Sequence, residues 1–264
     1  MKQVWQATTS EDRAHQTRVR SRIVQHFDPG SSTAVPLNVT YRLGKILDLG
    51  LLKGEWLDCG CADGGYTVAM VDLGAERAVG VDALEERIAQ AREREQARPA
   101  ARFLHAPAEA LPFTESSFDG VLLNEVLEHV TDEVQTLREI HRVLRPGGHL
   151  VVMSPNRWFP FEGHGMHIGQ HQVGFPVPLL PWLPSKIGQR FMHARNYWPH
   201  ELRDLVCNEG FVIYTVGFVW PVFEVYPWLP YPVIRRYRKL VPVLEKIPFI
   251  RCFGVSIFIV AQKQ

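Results

Sequence analysis

Residues 55–67 constrain the fold of this chain more than any other stretch: Glu55-Trp56-Leu57-Asp58-Cys59-Gly60-Cys61-Ala62-Asp63-Gly64-Gly65-Tyr66-Thr67. A short apolar run reads as a strand that reaches Asp58 and Cys59. A turn of small residues follows, and a helix-compatible run begins at Tyr66. Such a turn lets a ligand approach the backbone closely, because no Cβ stands in the way. It also brings the N-terminus of a helix beside that ligand. Strand, glycine turn and helix are the first unit of a nucleotide-binding α/β sheet.

The chain downstream keeps that rhythm. Strands are expected at 55–59, 78–81 (ending in Asp82), 101–105, 120–124 and 149–154. Helices are expected at 36–51, 66–73, 84–96 and 131–144, with Arg145-Pro146-Gly147-Gly148 as the stop after the last of them. Alternation of this kind makes βαβ units and a parallel sheet. Past Pro155 the rhythm breaks. Residues 156–196 are rich in Gly, Pro, His and aromatics, and an irregular stretch of that length is often a lid or binding loop. A helix at 198–209 and a strand at 211–218 follow, then a second aromatic stretch, then a final strand at 254–261. The expected organisation is an N-terminal helical arm over 1–35 and one domain over 36–264, with cap insertions at about 156–196 and 219–250. For the arm's Arg13, Arg18, Arg20 and Arg22, a solvated helical face is preferred over an anion site.

Composition narrows the functional classes. With 264 residues and 46% apolar content, one sizeable core is expected. A net charge of +1 argues against whole-surface attraction to nucleic acid, so no nucleic-acid partner is expected. Cys59, Cys61, Cys207 and Cys252 do not form a disulfide or zinc framework and read as small buried thiols. Neither a signal-peptide pattern nor a long uninterrupted apolar span is evident, so a cytoplasmic location is expected.

A strand-terminal acid, Asp82, stands 22 residues after Gly60, where a carboxylate can accept from both hydroxyls of a ribose. Further motifs follow in order: Val79-Gly80-Val81-Asp82, Leu111-Pro112-Phe113, Ser117-Phe118-Asp119, Val126-Leu127-Glu128-His129 and Leu144-Arg145-Pro146-Gly147-Gly148. Together with Asp58 to Gly65, this set resembles the class I S-adenosylmethionine-dependent methyltransferases, most closely the branch acting on small molecules and lipid-like quinones. The match covers about 54–155.

The resemblance implies a Rossmann-like, doubly wound sheet of seven strands with the last strand antiparallel, under an irregular aromatic-rich cap. It implies S-adenosylmethionine as cofactor. Asp58, Gly60, Cys61, Ala62 and Gly64 would lie against its methionine part. Asp82 would hold the ribose and Ala83 would lie against the adenine. Ala108 and Glu109 would flank the adenine edge, and Asn124 would face the methionine moiety. Two departures stand out: Ala62 replaces the middle glycine of the turn, and Pro107 occupies the position where the family often has an adenine-binding Asp. Adenine recognition would then rest on the Ala108 backbone or on Glu109.

A methyl sulfonium is already electrophilic, so the protein must mainly align a nucleophile and exclude water. A base is needed only if the nucleophile carries a proton. The candidates are His164 and His167, with His171 next in the series; their spacing would put them on one helix face, although three glycines in 163–169 oppose a helix there. A metal pair among them is the less favoured reading, and no metal is assigned. Glu128 and His129, near the same mouth, read as polar residues at a helix N-terminus rather than catalytic groups. The segment from Asn124 lacks the Asn/Asp-Pro-Pro-aromatic sequence of amide and nucleobase methylation, which leaves a small-molecule acceptor.

The aromatics of 218–232 lie beside the basic run Arg235, Arg236, Arg238 and Lys239. Two compatible readings stay open: a buried cap over an apolar pocket, and peripheral membrane contact through 219–250. The leading expectation is methyl transfer to a hydrophobic small molecule. Its rivals are a tRNA or protein methyltransferase and a non-catalytic scaffold of the same fold. The oligomeric state stays open.

Overall fold

The computed structural model describes residues 36–95, 98–168, 171–174, 176–188, 190–222 and 230–264. The expected N-terminal arm with its four arginines lies outside the described residues, as do Trp228 and most of the aromatic run before Tyr231.

Seven strands form one sheet in the order β10-β11-β5-β4-β1-β2-β3. They are β1 (Glu55–Cys59), β2 (Arg77–Asp82), β3 (Ala101–His105), β4 (Phe118–Asn124), β5 (Leu144–Pro155), β10 (Phe211–Val219) and β11 (Ser256–Lys263). β1 pairs in parallel with β2 and β4, β2 with β3, and β4 with β5. β11 runs antiparallel to both neighbours, β5 and β10, so the expected Rossmann-like sheet with an antiparallel last strand is what the chain forms. The strand order reverses between β1 and β4, and a crevice opens at their carboxyl ends, where ligands bind in such sheets.

Helices cover both faces. On one side, α1 (Leu37–Asp48) and α2 (Gly65–Leu73) bury Leu43, Ile46 and Met70 against Trp56, Leu122 and Val151. On the other, α4 (Glu133–Val143) and α6 (Pro199–Asn208) bury Leu137, Ile140 and Leu202 against Leu57, Val121 and Ile257. α3 (Glu85–Glu95) packs Ile88 and Ala91 on Phe103 of the outer strand. Central strands are apolar on both faces because both faces are covered.

Three expectations change. The helix expected from 131 begins at Glu133, because the Asp132 side chain caps it by accepting from Gln135 N–H at 2.9 Å. Leu127, Glu128 and His129 therefore occupy a turn ahead of that helix and are not its N-terminal residues. Residues 145–148 do not form a separate stop turn. Leu144 is already extended and pairs with Phe118, so the strand begins where the helix ends.

The segment 156–196 is not structureless. It holds two small antiparallel ribbons, β6 (Phe161–Glu162) with β9 (Val177–Pro178) and β7 (Met166–Ile168) with β8 (His171–Val173), and a short helix α5 (Ser185–Gly188). Val177, Leu180 and Met192 form its own small core. The spacing of His164, His167 and His171 does not become a helix face, in keeping with the glycines of 163–169: His167 pairs across the ribbon with Gln172, and His164 precedes it in a bend. Glycines 163 and 165 favour turns over a continuous helix. Asn156, at the root of the segment, donates to the carbonyls of Cys252 and Gly254, both at 2.7 Å. The stretch after β10 includes helix α7 (Tyr231–Leu244), which buries Ile234 and Val241 and carries a proline at 242.

Candidate cofactor and acceptor site

The turn after β1 is folded onto the end of β2. Gly60 and Cys61 both donate N–H to Val81 O at 2.8 Å, and Gly64 N–H closes the turn on Cys61 O at 2.9 Å. Gly60 has φ +82°, and a Cβ there would stand 2.3 Å from Val126 Cγ2. Ala62 takes φ +48°, a left-handed conformation that costs an L-residue about 1 kcal/mol. The Asp82 carboxylate holds it there by accepting from Ala62 N–H at 2.9 Å while its other oxygen accepts from Leu84 N–H at 3.0 Å. The alanine that departs from the glycine pattern thus keeps the glycine geometry.

This turn, the β2 end, the loop after β3 and the β4 end enclose a cavity of about 670 Å³. Of the expected cofactor residues, Asp58, Gly60, Cys61, Ala62, Asp82 and Ala83 line it from one side. Ala108, Glu109 and Asn124 line it from the other. Gly64 does not line it. It lies behind the turn, where a Cβ would stand 2.5 Å from the Phe103 ring. Pro107 lines the cavity with its neighbours, and Glu109 spends one carboxylate oxygen on Thr131 N–H at 2.9 Å.

Acidic groups dominate the wall: Asp58, Asp63, Asp82, Glu109 and Glu125, with Arg87 the one Lys or Arg among the described lining residues. Burial pushes the Asp58 carboxyl up to about 7, and the Asp82 charge adds to this; the Thr67 hydroxyl, donating at 2.6 Å, partly offsets the shift. An acidic wall with close-approach backbone suits a ligand that carries positive charge and hydroxyl groups. S-adenosylmethionine has a sulfonium, an ammonium and a ribose diol, so the residues present fit it.

Residues that the sequence did not single out complete the site. Tyr66, at the start of α2, and Glu125 line the cavity. Glu125 has φ +54° and is fixed by Arg42 of α1, whose guanidinium donates to Glu125 Oε1 at 2.7 Å and to Asn124 Oδ1 at 2.8 Å. Nothing in the local sequence pairs residues 83 apart.

His129, set aside as a helix-terminal residue, lines this cavity and also a second one of about 350 Å³. The second cavity is walled by Glu128, His129 and Val130 and by Met192, His193 and Arg195 of the inserted segment. Glu128 is only 3% exposed, and neither carboxylate oxygen has a hydrogen-bond partner among the described residues. Burial, with the charge of Glu125, raises its pKa well above the usual range. His164 lines neither cavity directly; its ring meets His129 edge-on at 5.1 Å. The His167 ring lies 4.9 Å from that of His193, a residue of the second cavity's wall.

Comparison with known proteins agrees with this geometry. Residues 57–152 match the profile of a family described as "Methyltransferase domain". The chain is 35% identical over 179 residues to the "Ubiquinone biosynthesis O-methyltransferase" of Ruegeria pomeroyi, covering 64% of this chain and 67% of that protein. It is 33% identical to the "Demethylmenaquinone methyltransferase" of Staphylococcus aureus, over 42% of this chain and 47% of that one. A crystal structure of an S-adenosylmethionine-dependent methyltransferase from Mesorhizobium loti shares the fold with a TM-score of 0.56 and 19% identity, over 85% of this chain and 98% of that one. The acid-walled glycine turn at the β1–β4 switch point and the similarity to these methyltransferases lead to one conclusion: this chain belongs to the class I S-adenosylmethionine-dependent methyltransferases.

Proposed function

We propose that the enzyme methylates a hydrophobic small molecule of the quinone-precursor type. The observation that carries this is the pair of adjoining cavities, one acidic and glycine-walled, the other opening onto the inserted segment. The names of the relatives, two of them quinone-biosynthesis methyltransferases, support the acceptor class.

When bound, S-adenosylmethionine supplies an electrophilic methyl group on its sulfonium. The chain's part is to hold, orient and shield. Asp58, Gly60, Cys61, Ala62 and Asn124 would hold the methionine portion, with Gly64 shaping the turn from behind. Asp82 would accept from the ribose hydroxyls, and its orientation is set by the two backbone donors already on it. Ala83, Ala108 and Glu109 would border the adenine. On the acceptor side, His164 and His167 would serve proton handling. His164 is the better supported, since Glu162, buried at 0% exposure, fixes its ring through Nδ1 at 3.1 Å. The segments 156–196 and 219–250 would act as the cap that excludes water.

A hydrophobic acceptor also calls for an entrance near lipid. Tyr231, Val233, Leu240, Val243, Phe249 and Ile250 are exposed large apolar residues, and Arg235, Arg236 and Lys239 are exposed beside them. That combination supports peripheral contact with an anionic bilayer. No helix among the described residues is long and apolar enough to cross one.

The test is calorimetry with S-adenosylmethionine, followed by turnover with polyprenylated phenols presented in detergent. Micromolar cofactor binding and methylation of the phenol are expected. No detectable cofactor binding would sink the site assignment; cofactor binding with turnover only on tRNA or protein would sink the acceptor class.

A further inference from the structure

Helix α1 grips two parts of the molecule that lie far apart in the sequence. Its apolar stripe, Val39, Leu43, Ile46 and Leu47, is buried against the sheet. Tyr41 and Lys45, one turn apart, make a second face, with the ammonium 5.0 Å from the phenol ring centroid. Both reach Glu245. The Tyr41 hydroxyl donates to Glu245 Oε1, and Lys45 Nζ pairs with the same oxygen at 2.5 Å. The Tyr41 hydroxyl also accepts from Trp220 N–H at 3.2 Å. Trp220 directly follows β10 and Glu245 directly follows α7, so one hydroxyl joins the entry of the 219–250 segment to the end of its helix. The next residue, Arg42, grips the wall of the first cavity. Its guanidinium donates to Asn124 Oδ1 at 2.8 Å and Glu125 Oε1 at 2.7 Å, and to Ser256 Oγ, at the start of β11, at 2.9 Å.

Neither grip is explained by its own element. Glu245 is the C-cap of α7, where the helix dipole disfavours a carboxylate. α7 buries only Ile234 and Val241 of its 14 residues, so few apolar contacts hold it and its polar ties matter more. Glu125 has φ +54°, which a non-glycine residue keeps only where its surroundings impose it. Arg42 and the Ser256 hydroxyl fasten its carboxylate. Once they let go, the backbone can relax and the cavity wall changes shape. Glu125 is therefore an element with two arrangements, which energetic coupling between sites requires.

We propose that α1 couples α7 to the cofactor site, with Tyr41, Lys45 and Glu245 as positioning residues that act through Arg42 on Asn124 and Glu125. This rests on the first cavity being the cofactor site. Asn124 and Glu125 line that cavity, whereas Tyr41, Arg42, Lys45 and Glu245 do not, so their influence on the cofactor passes through the helix. While Glu245 holds α1 in place, Arg42 keeps Glu125 in its left-handed form and the wall is set. Without that clasp α1 can shift, and part of the cofactor's binding energy goes into restoring the wall. The linkage is reciprocal: a bound cofactor tightens the hold on α7. α7 carries Tyr231, Val233 and Leu240 exposed beside Arg235 and Arg236, so the coupling ties engagement of that face to cofactor occupancy.

Calorimetry and hydrogen exchange test the two directions. Binding is read at a temperature where each variant is fully folded, so that lost stability alone does not lower affinity. Glu245→Gln should bind S-adenosylmethionine at least about fivefold more weakly than the parent. The double variant Arg42→Lys with Glu245→Gln should bind within about twofold of Arg42→Lys alone, because both act along one route. In the parent, saturating cofactor should slow amide exchange in peptides of α7 by at least about fivefold, and Arg42→Lys should abolish that slowing. An affinity that Glu245→Gln leaves unchanged, losses that multiply in the double variant, or α7 exchange that the cofactor does not slow would each overturn the proposal. The exchange measurement on the parent stands even if a variant does not fold. If the parent binds no S-adenosylmethionine, the cofactor-site reading fails; if it binds and any of those three results is seen, this inference alone fails.

Discussion

Arg42 of α1 and Glu125, the residue after β4, form an ion pair at 2.7 Å, with side chains only 12% and 27% exposed. The same guanidinium donates to Asn124 Oδ1 at 2.8 Å, and its other nitrogen donates to Ser256 Oγ at 2.9 Å. One side chain thus ties α1, the β4 end and β11 together at the lip of the cofactor cavity. It also stabilises Glu125 in its left-handed conformation. Replacing Arg42 with Met leaves a poorly solvated carboxylate without its cation. Chemical denaturation should show a loss of about 3 kcal/mol. Arg42→Lys keeps the charge but loses the fork, so it should recover part of the stability while cofactor affinity remains weakened.

Asp82 both accepts from the turn and faces the cavity, so its two roles can be separated. Asp82→Asn keeps one acceptor oxygen but sets an NH2 group against the other backbone N–H, so chemical denaturation should show a loss of about 1–3 kcal/mol. Its affinity for S-adenosylmethionine should fall at least about tenfold, equivalent to about 1.4 kcal/mol. Calorimetry showing a loss below about fivefold, roughly 1 kcal/mol, would remove Asp82 from the ribose.

Asp58 gives the chain a pH signature. Its folded pKa, about 7, lies above the ordinary aspartate value of 3.8, so the folded state holds this proton where the unfolded state has lost it. Its contribution to stability is present in acid and declines as pH rises from about 4 to about 7. Thermal melts of the cofactor-free protein against Asp58→Asn should show the parent losing ground to the variant across that window. A parallel pair of curves would refute the shift.

Gly64 makes a steric prediction. Its φ is +81°, and a methyl group there would press on the Phe103 ring at 2.5 Å and Ala91 Cβ at 3.1 Å. Gly64→Ala combines backbone strain with overpacking and should cost about 2–4 kcal/mol, read as a drop in denaturation midpoint. Cofactor binding should weaken with it, since the turn cannot keep its shape.

The exposed apolar edge supplies the test of membrane contact. Phe249 is 86% exposed and lies just before Arg251. Co-sedimentation with vesicles rich in phosphatidylglycerol should fall at least about fivefold, or about 1 kcal/mol, in Phe249→Asp and in Arg235→Glu with Arg236→Glu. Failure of the parent protein to sediment would end the proposal.

Much of this architecture is legible in the sequence. The βαβ alternation, the glycine turn and Asp82 are local patterns with a fixed period or spacing, and the chain realises each within a residue or two. The place of Glu128 and His129 is not legible because helix α4 starts later than the apolar stripe suggests: the Asp132 cap decides the start, and the two residues fall into a turn that faces the cavities. The spacing of His164 and His167 suits a helix face, the glycines around them oppose one, and only the fold shows the ribbon that holds His167.

The sequence by itself determined the sheet, the cofactor turn and the acid at the end of β2, because strands, turns and their side-chain chemistry are set by neighbours a few residues apart. Tertiary structure alone decided that Arg42 reaches Glu125, that Glu162 fixes His164, and that His129 stands between two cavities. Those relations join residues brought together only when α1 and the 156–196 segment fold back over the sheet. Such contacts are set by packing of the whole core and leave no periodic trace along the chain.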